Sequence, residues 1–200
     1  MVDAKSNKRI TVYGNYMDKY LIGVFKQYSA DIQGKVGIVI GTEKPWVEAH
    51  LLNQGAELVV TLEYGRIVSE HPQLVPVVAS ELAALFLAKG GVEVDFIVTI
   101  SSLEHSGLGR YGDPLNPAGD LEAMAQAFCL LKPGGLMLLG VPSAGGDHTR
   151  DQLFWNAHRV YGRKRMQHMA ANFDFLQVHE SPEFKSAVVF AMRKPRDEGL

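Results

Sequence analysis

At 200 residues, with 20 basic and 22 acidic side chains, the chain is long enough to bury a core of its own and carries no global field to attract nucleic acid or an anionic membrane surface. Its composition, 46% hydrophobic and 21% charged, is that of a soluble globular protein, and its apolar runs are too short and interrupted for a membrane span. A single cysteine, Cys129, excludes an internal disulfide and points to a reducing, cytoplasmic setting, and no charged-then-apolar leader opens the sequence.

The simplest organisation is one α/β domain over 1–200, with 1–33 as a polar tail and a helix. Over 13–28, Tyr13, Tyr16, Met17, Tyr20, Leu21, Val24 and Phe25 recur at three- and four-residue intervals, the stripe of an amphipathic helix suited to packing or to a homodimer contact. Gly34 closes it. An apolar strand over 35–40 ends at Gly41, Pro45 opens a helix over 46–53, and Gly55 stops it. A second strand over 57–62 runs into the carboxylate of Glu63. A third is expected over 74–78, followed by a helix that Ser80 and Glu81 cap and that runs to Ala88.

From Val94 the run Phe96, Ile97, Val98, Ile100 predicts a strand covered on both faces. A helix over 120–131, stopped at Pro133-Gly134-Gly135, leads to a strand over 136–141 and a glycine-rich loop over 142–151. After the segment 154–162, a helix over 163–171 precedes strands at 174–179 and 186–193. The connection around Ser181-Pro182 is too short for a crossover, so these two pair antiparallel. Strand and helix alternate five times, and a helix and a closing hairpin follow. This predicts a Rossmann-like, doubly wound, mostly parallel seven-stranded sheet with an antiparallel C-terminal hairpin.

Polar chemistry gathers after the strand ends, where open parallel sheets bind ligands. Ser101, Ser102, Glu104, His105, Arg110, Tyr111 and Asp113 crowd one long loop. Gly107, Gly109 and Gly112 spell G-x-G-x-x-G there, but Asp113-Pro114 follows where the dinucleotide motif needs a helix, so the glycines supply backbone freedom for a re-entrant turn. His105 is the best general base by intrinsic pKa, with Glu104 and Asp113 as second choices. Arg110 or Arg159 could anchor an acidic acceptor, with Tyr111, Asp147, Asn156 and His158 as its neighbours.

Three stretches carry a resemblance to a known family: 94–105, running from Val-Asp-Phe-Ile to Ser-Leu-Glu-His; Leu131-Lys132-Pro133-Gly134-Gly135; and Ala157-His158-Arg159-Val160-Tyr161 ahead of a helix and hairpin. Together they resemble the class I S-adenosylmethionine-dependent methyltransferases. More narrowly, 40–49, 104–113 and 156–162 look like a methyltransferase-like family of unknown function. The resemblance implies that S-adenosylmethionine is the cofactor, that Gly41 is the first glycine of its loop with Thr42 and Glu43 following, and that Glu63 grips the ribose hydroxyls. Tyr64 and Ser80 would stand beside it, and Ser101, Ser102 and Leu103 would floor the methionine end. The glycine loop is degenerate: Val39 stands at the usual acid position, and Glu43 and Pro45 at later glycine positions.

The leading function is therefore methyl transfer to a small-molecule or glycan-like polar acceptor. The alternatives are a methyltransferase-like binding or regulatory module without chemistry, and a metal-dependent hydrolase using His105, His158, Glu104 and Asp147. The histidines form no short-range helical pair, and neither a Walker loop nor a G-x-S-x-G elbow is present.

Overall fold

A computed structural model of the protein describes residues 14–143, 150–183 and 187–196. Seven strands make a mostly parallel α/β sheet that closes with an antiparallel C-terminal hairpin, the architecture expected from the alternation of elements. The chain forms two compact units, one reaching to Val98 and one beginning at Thr99.

In the first unit, helix α1 (Asn15–Gln27) and the short α2 (Ser29–Ile32) lead into strand β1 (Val36–Ile40). Helix α3 (Trp46–Asn53), β2 (Leu58–Glu63), β3 (Leu74–Val78), α4 (Ala79–Lys89) and β4 (Val94–Ile100) follow, with the strand order β3-β2-β1-β4 and every neighbour parallel. Ile38 and Val39 of β1 and Phe96, Ile97 and Val98 of β4 are fully buried, as their unbroken apolar run requires. Gly37 pairs with Phe96, and a Cβ at Gly37 would lie 2.0 Å from the Phe96 ring, so the missing side chain is what lets that ring lie across β1. Pro76 sits in β3 at the sheet's edge, where a strand tolerates the loss of an amide donor. Ser80 does not cap α4. The helix begins at Ala79, and Glu81 instead accepts the Val78 amide at 3.1 Å.

The second unit holds a 3-10 turn (Leu103–His105), helix α5 (Gly119–Leu130), β5 (Leu131–Pro142), β6 (Gln152–Phe154), β7 (His158–Val160), α6 (Arg163–Met169), β8 (Asp174–Glu180) and β9 (Ala187–Arg193). Its sheet order is β5-β9-β8, with both pairings antiparallel, and Leu136–Val141 and Val188–Met192 are buried. Two features differ from the sequence reading. The segment 152–160 is a small hairpin with Phe154 opposite His158 and Leu153 opposite Arg159, and β5 starts at Leu131, directly after α5, because Leu131 is itself buried. No helix among the described residues is long and apolar enough to cross a membrane.

Candidate functional site

In the first unit the chemistry stands at the C-terminal ends of β1 and β2. The parallel register sets Ile40 against Leu62, and the Gly41 amide donates to the Leu62 carbonyl at 3.0 Å. This brings the loop after β1 beside the end of β2, where Glu63 lies half-buried with one carboxylate oxygen accepting the Tyr64 amide at 2.9 Å. Gly41 has φ +76°, a left-handed conformation that costs glycine nothing. Thr42 is buried and its hydroxyl donates to the Lys44 carbonyl, closing the loop, while Glu43 and Lys44 are exposed. Tyr64 and Ser80 are exposed too.

Beneath this loop lies a group that the sequence reading missed. Glu48 of α3 is 0% exposed; its Oε1 accepts the Thr61 hydroxyl at 2.8 Å, and its Oε2 has no hydrogen-bond partner. Burial, helped by the nearby Glu63 charge, pushes its carboxyl up to about 7. One signal was available: Glu48 and His50 interrupt an otherwise apolar helix. His50 meets Asp18 of α1 at 3.1 Å, a buried pair that ties the two helices together.

In the second unit the site is built on the turn after β4. Ser101 takes φ +53°, rare for a residue with a side chain, and its amide donates to the Gly140 carbonyl at 2.8 Å. The strained residue aims its hydroxyl at Glu104 Oε1, 2.8 Å away. Glu104 is 0% exposed, its Oε2 has no hydrogen-bond partner, and burial pushes its carboxyl up to about 7. His105 follows, with Nδ1 2.5 Å from the Ala157 carbonyl and Nε2 3.8 Å from Glu104 Oε1. A carbonyl only accepts, so Nδ1 carries the proton and Nε2 keeps its lone pair. Burial first, then the charges of Arg110 and His158, lower the His105 pKa and keep the ring neutral. A neutral imidazole with its lone pair free beside a protonatable carboxyl can accept a proton from a hydroxyl.

Arg159 does not anchor an acceptor. It is 3% exposed, and its guanidinium donates to the carbonyls of Ser106 (2.6 Å), Pro117 (3.3 Å), Glu104 (3.4 Å) and Asn116 (3.5 Å), with Asp120 at 3.6 Å. It meets Glu104 at the backbone and not at the carboxylate. Asp120 is buried and also accepts the Tyr161 hydroxyl (2.9 Å) and Arg165 Nε (2.8 Å). The sequence reading missed Asp120, Tyr161 and Arg165, whose partners lie some 40 residues away, because side chains that meet only through tertiary packing leave no local pattern. Burial and the Asp120 charge raise the Tyr161 pKa, and the hydrogen bonds to Asp120 raise that of Arg165.

Asp113 staples the loop. Its oxygens accept the amides of Gly107 (2.6 Å) and Tyr111 (3.3 Å). Burial alone would raise its pKa, but the amides of Tyr111, Gly107 and Gly109 overcome that and hold it below the ordinary carboxylate value, where it is a poor proton acceptor. The three glycines do what the sequence suggested: all have positive φ, and a Cβ at Gly107 would lie 2.0 Å from the Asn116 carbonyl. Leu103 is buried and Ser102 half-buried; Arg110 and Tyr111 are exposed, and Asn156 takes φ +50° at the hairpin tip. His158 lies on the hairpin beside His105, their ring centres 6.2 Å apart. Asp147 lies outside the described residues. Among those residues no group of three or more His, Cys, Asp or Glu is placed to hold a metal ion.

Solved structures with this fold share little sequence. A 1,6-didemethyltoxoflavin-N1-methyltransferase of Burkholderia thailandensis, described with bound S-adenosylhomocysteine, aligns at TM-score 0.59 and 17% identity over 90% of this chain and 79% of its own. The N-methyltransferase NodS of Bradyrhizobium japonicum aligns at 0.61 and 12% over 91% and 98%. An O-methyltransferase family protein of Burkholderia thailandensis gives 0.61 and 11% over 91% and 57%. These likenesses establish the class I methyltransferase fold. No curated protein matches the sequence. Residues 34–198 match the family model described as Caenorhabditis protein of unknown function, DUF268, and the chain belongs to that family.

Proposed function

We propose that the chain is an S-adenosylmethionine-dependent methyltransferase acting on a hydroxyl of a small polar or glycan-like acceptor. The observation that carries the reading is in the first unit, where the bond from the Gly41 amide to the Leu62 carbonyl sets a left-handed glycine beside the carboxylate of Glu63. The donor set fits the group. A carboxylate is the natural acceptor for a ribose diol, the left-handed Gly41 leaves its backbone bare, and the exposed side chain of Glu43 need not fill the loop. Gly41, Thr42 and Glu63 would hold the cofactor, which when bound supplies an electrophilic methyl group.

Taken by itself, the second unit offers a proton acceptor. His105 Nε2 accepts it from the acceptor hydroxyl, with Nδ1–H fixed on the Ala157 carbonyl so that the ring keeps the required tautomer. Glu104 lies 3.8 Å from Nε2 and stabilises the imidazolium that forms. Ser101 orients that carboxyl.

A binding module without chemistry is the second reading. The single glycine of the loop after β1, with Val39 buried at the usual acid position, favours it. Titration calorimetry with S-adenosylmethionine and S-adenosylhomocysteine tests both readings. Methyl transfer requires that each bind and that Glu63→Ala weaken binding by about 1–3 kcal/mol. No binding of either would end the methyltransferase reading.

A further inference from the structure

The second unit carries four rings in a row, His105 among them. Phe154 stacks on His158 with ring centres 5.0 Å apart and planes 27° apart. His158 meets His105 edge-on at 6.2 Å, and His105 meets Tyr111 edge-on at 5.4 Å. The Arg110 guanidinium lies 5.6 Å from the Tyr111 ring centre. The hairpin register explains the arrangement: Phe154 and His158 are opposed across β6 and β7, so they share one face, while Leu153 and Arg159 share the other, on which Arg159 reaches its carbonyls.

These rings do not fill a core. Tyr111 is 59% exposed and Phe154 48%, whereas the imidazole between them is pinned by its bond to Ala157. Aromatic faces held in order yet left to water mark a binding surface more often than a packing one. The polar edges define what fits. A wholly apolar ligand would desolvate Arg110 and the His158 edge without replacing their hydrogen bonds. A bare cation meets Arg110 already over the Tyr111 face. A pyranose offers C–H groups on its face for the rings and hydroxyls around its rim for the nitrogen donors.

We propose that Tyr111, His105, His158 and Phe154 form a saccharide-binding surface that presents one sugar hydroxyl to His105 Nε2, with Arg110 at the end that receives a carboxylate or hydroxyl of the ring. Sugar binding stands on this geometry alone; that the presented hydroxyl is the methyl acceptor rests on the methyltransferase reading.

Saturation-transfer NMR on the purified chain, with methyl β-D-glucopyranoside, D-glucuronate and phenol as separate probes, tests this. Both sugars should receive saturation and move the His105 ring-proton resonance. Phe154→Ala and Tyr111→Ala, both at exposed positions, should each weaken sugar binding roughly three- to tenfold. Arg110→Ala should weaken glucuronate selectively if the ligand is a uronic acid, and both sugars alike if it is neutral. Saturation of phenol alone, of neither sugar, or sugar binding that is unchanged in both ring variants overturns the proposal. Calorimetry with S-adenosylhomocysteine on the same samples keeps the two readings apart. Cofactor binding without sugar binding sinks the saccharide surface and leaves methyl transfer standing; sugar binding without cofactor does the reverse.

Discussion

Glu48 and Glu104 are alike in nearly every local quantity. Each is 0% exposed, accepts a hydroxyl at 2.8 Å through Oε1, leaves Oε2 without a hydrogen-bond partner and is pushed by burial to about 7. They differ in what carries them. Glu48 rides on a regular helix whose backbone satisfies itself, so its position follows from α3 packing on β2. Glu104 sits in a 3-10 turn flanked by a strained serine, and that turn is held from outside by the Arg159 guanidinium. Beside Glu104 there is also an imidazole with a free lone pair, whereas the groups at Glu48 are the Thr61 and Thr42 hydroxyls and the Glu63 charge. Burial and a raised pKa are therefore common to both; a titratable neighbour on an irregular, cross-braced segment is what sets Glu104 apart.

The largest expected effect tests the brace. Arg159→Ala removes donors to four carbonyls and leaves Asp120 buried with less compensation, which should cost about 3–5 kcal/mol in urea denaturation. Arg159→Lys should recover only part of this, because an ammonium cannot reproduce the planar fork. Hydrogen exchange should quicken at Glu104–Gly107 and stay slow in α3. A loss below about 1 kcal/mol would mean that the turn holds itself and that the contrast with Glu48 is false.

His105→Gln comes next. It keeps a polar side chain but removes the base, so kcat should fall roughly 10²- to 10⁴-fold in a methyl-transfer assay on a sugar acceptor, with the melting temperature preserved. Parallel loss of stability and activity would recast His105 as a loop clamp through its Ala157 bond.

How much of this was legible in the sequence follows the same division. The strand at 94–100 could be read because its apolar run is dictated by burial on both faces, and the edge strand at 74–78 from its short apolar run, although only Leu74 of it is buried; Glu63 could be placed because it ends the second strand. His105 could be singled out as a candidate base from its chemistry, and the turn role of the three glycines from the proline that follows them. The small hairpin could not be read, since Gln-Leu-Phe and His-Arg-Val are three residues each and the left-handed turn position falls on Asn156 and not on a glycine. Arg159 is charged yet buried, which charge alone does not reveal, and a carboxylate in a loop, such as Asp113, looks the same in sequence whether it stabilises amides or takes protons. Only three-dimensional partners distinguish these cases.

The two glutamates should be separable by pH. Each has a folded pKa of about 7 against an ordinary value of 4.5, so between these values the folded state holds more protons than the unfolded one. The associated stability is fully present below about 4.5 and is lost as pH rises through about 7, by at most about 3 kcal/mol per group. Glu48→Gln and Glu104→Gln should each flatten the fall in melting temperature between pH 5 and 8 by similar amounts. Only Glu104→Gln should shift the pH optimum of transfer, because only Glu104 neighbours the base. Equal shifts in both variants would erase the distinction.

The smallest effect concerns the loop that frames the second glutamate. Asp113 accepts the amides of Gly107 and Tyr111, drawing the three-glycine loop into its turn. Asp113→Ala should cost about 1–2 kcal/mol, the usual loss for charge-assisted bonds at a half-exposed site. Because its folded pKa is depressed, its stabilisation is present above the ordinary value of 3.8 and is lost as pH falls below it, so the variant should differ from wild type at pH 6 and converge with it in strong acid. Asp113→Asn keeps one acceptor oxygen and should fall between the two. If Asp113 were instead the base, Asp113→Asn would abolish transfer while leaving stability nearly intact; the loop role predicts a modest loss of both. Tyr111 adds a second readout, since releasing its amide frees the ring that stands 5.4 Å from His105, and sugar binding should weaken in step with the loop while the surroundings of Glu48 stay unchanged.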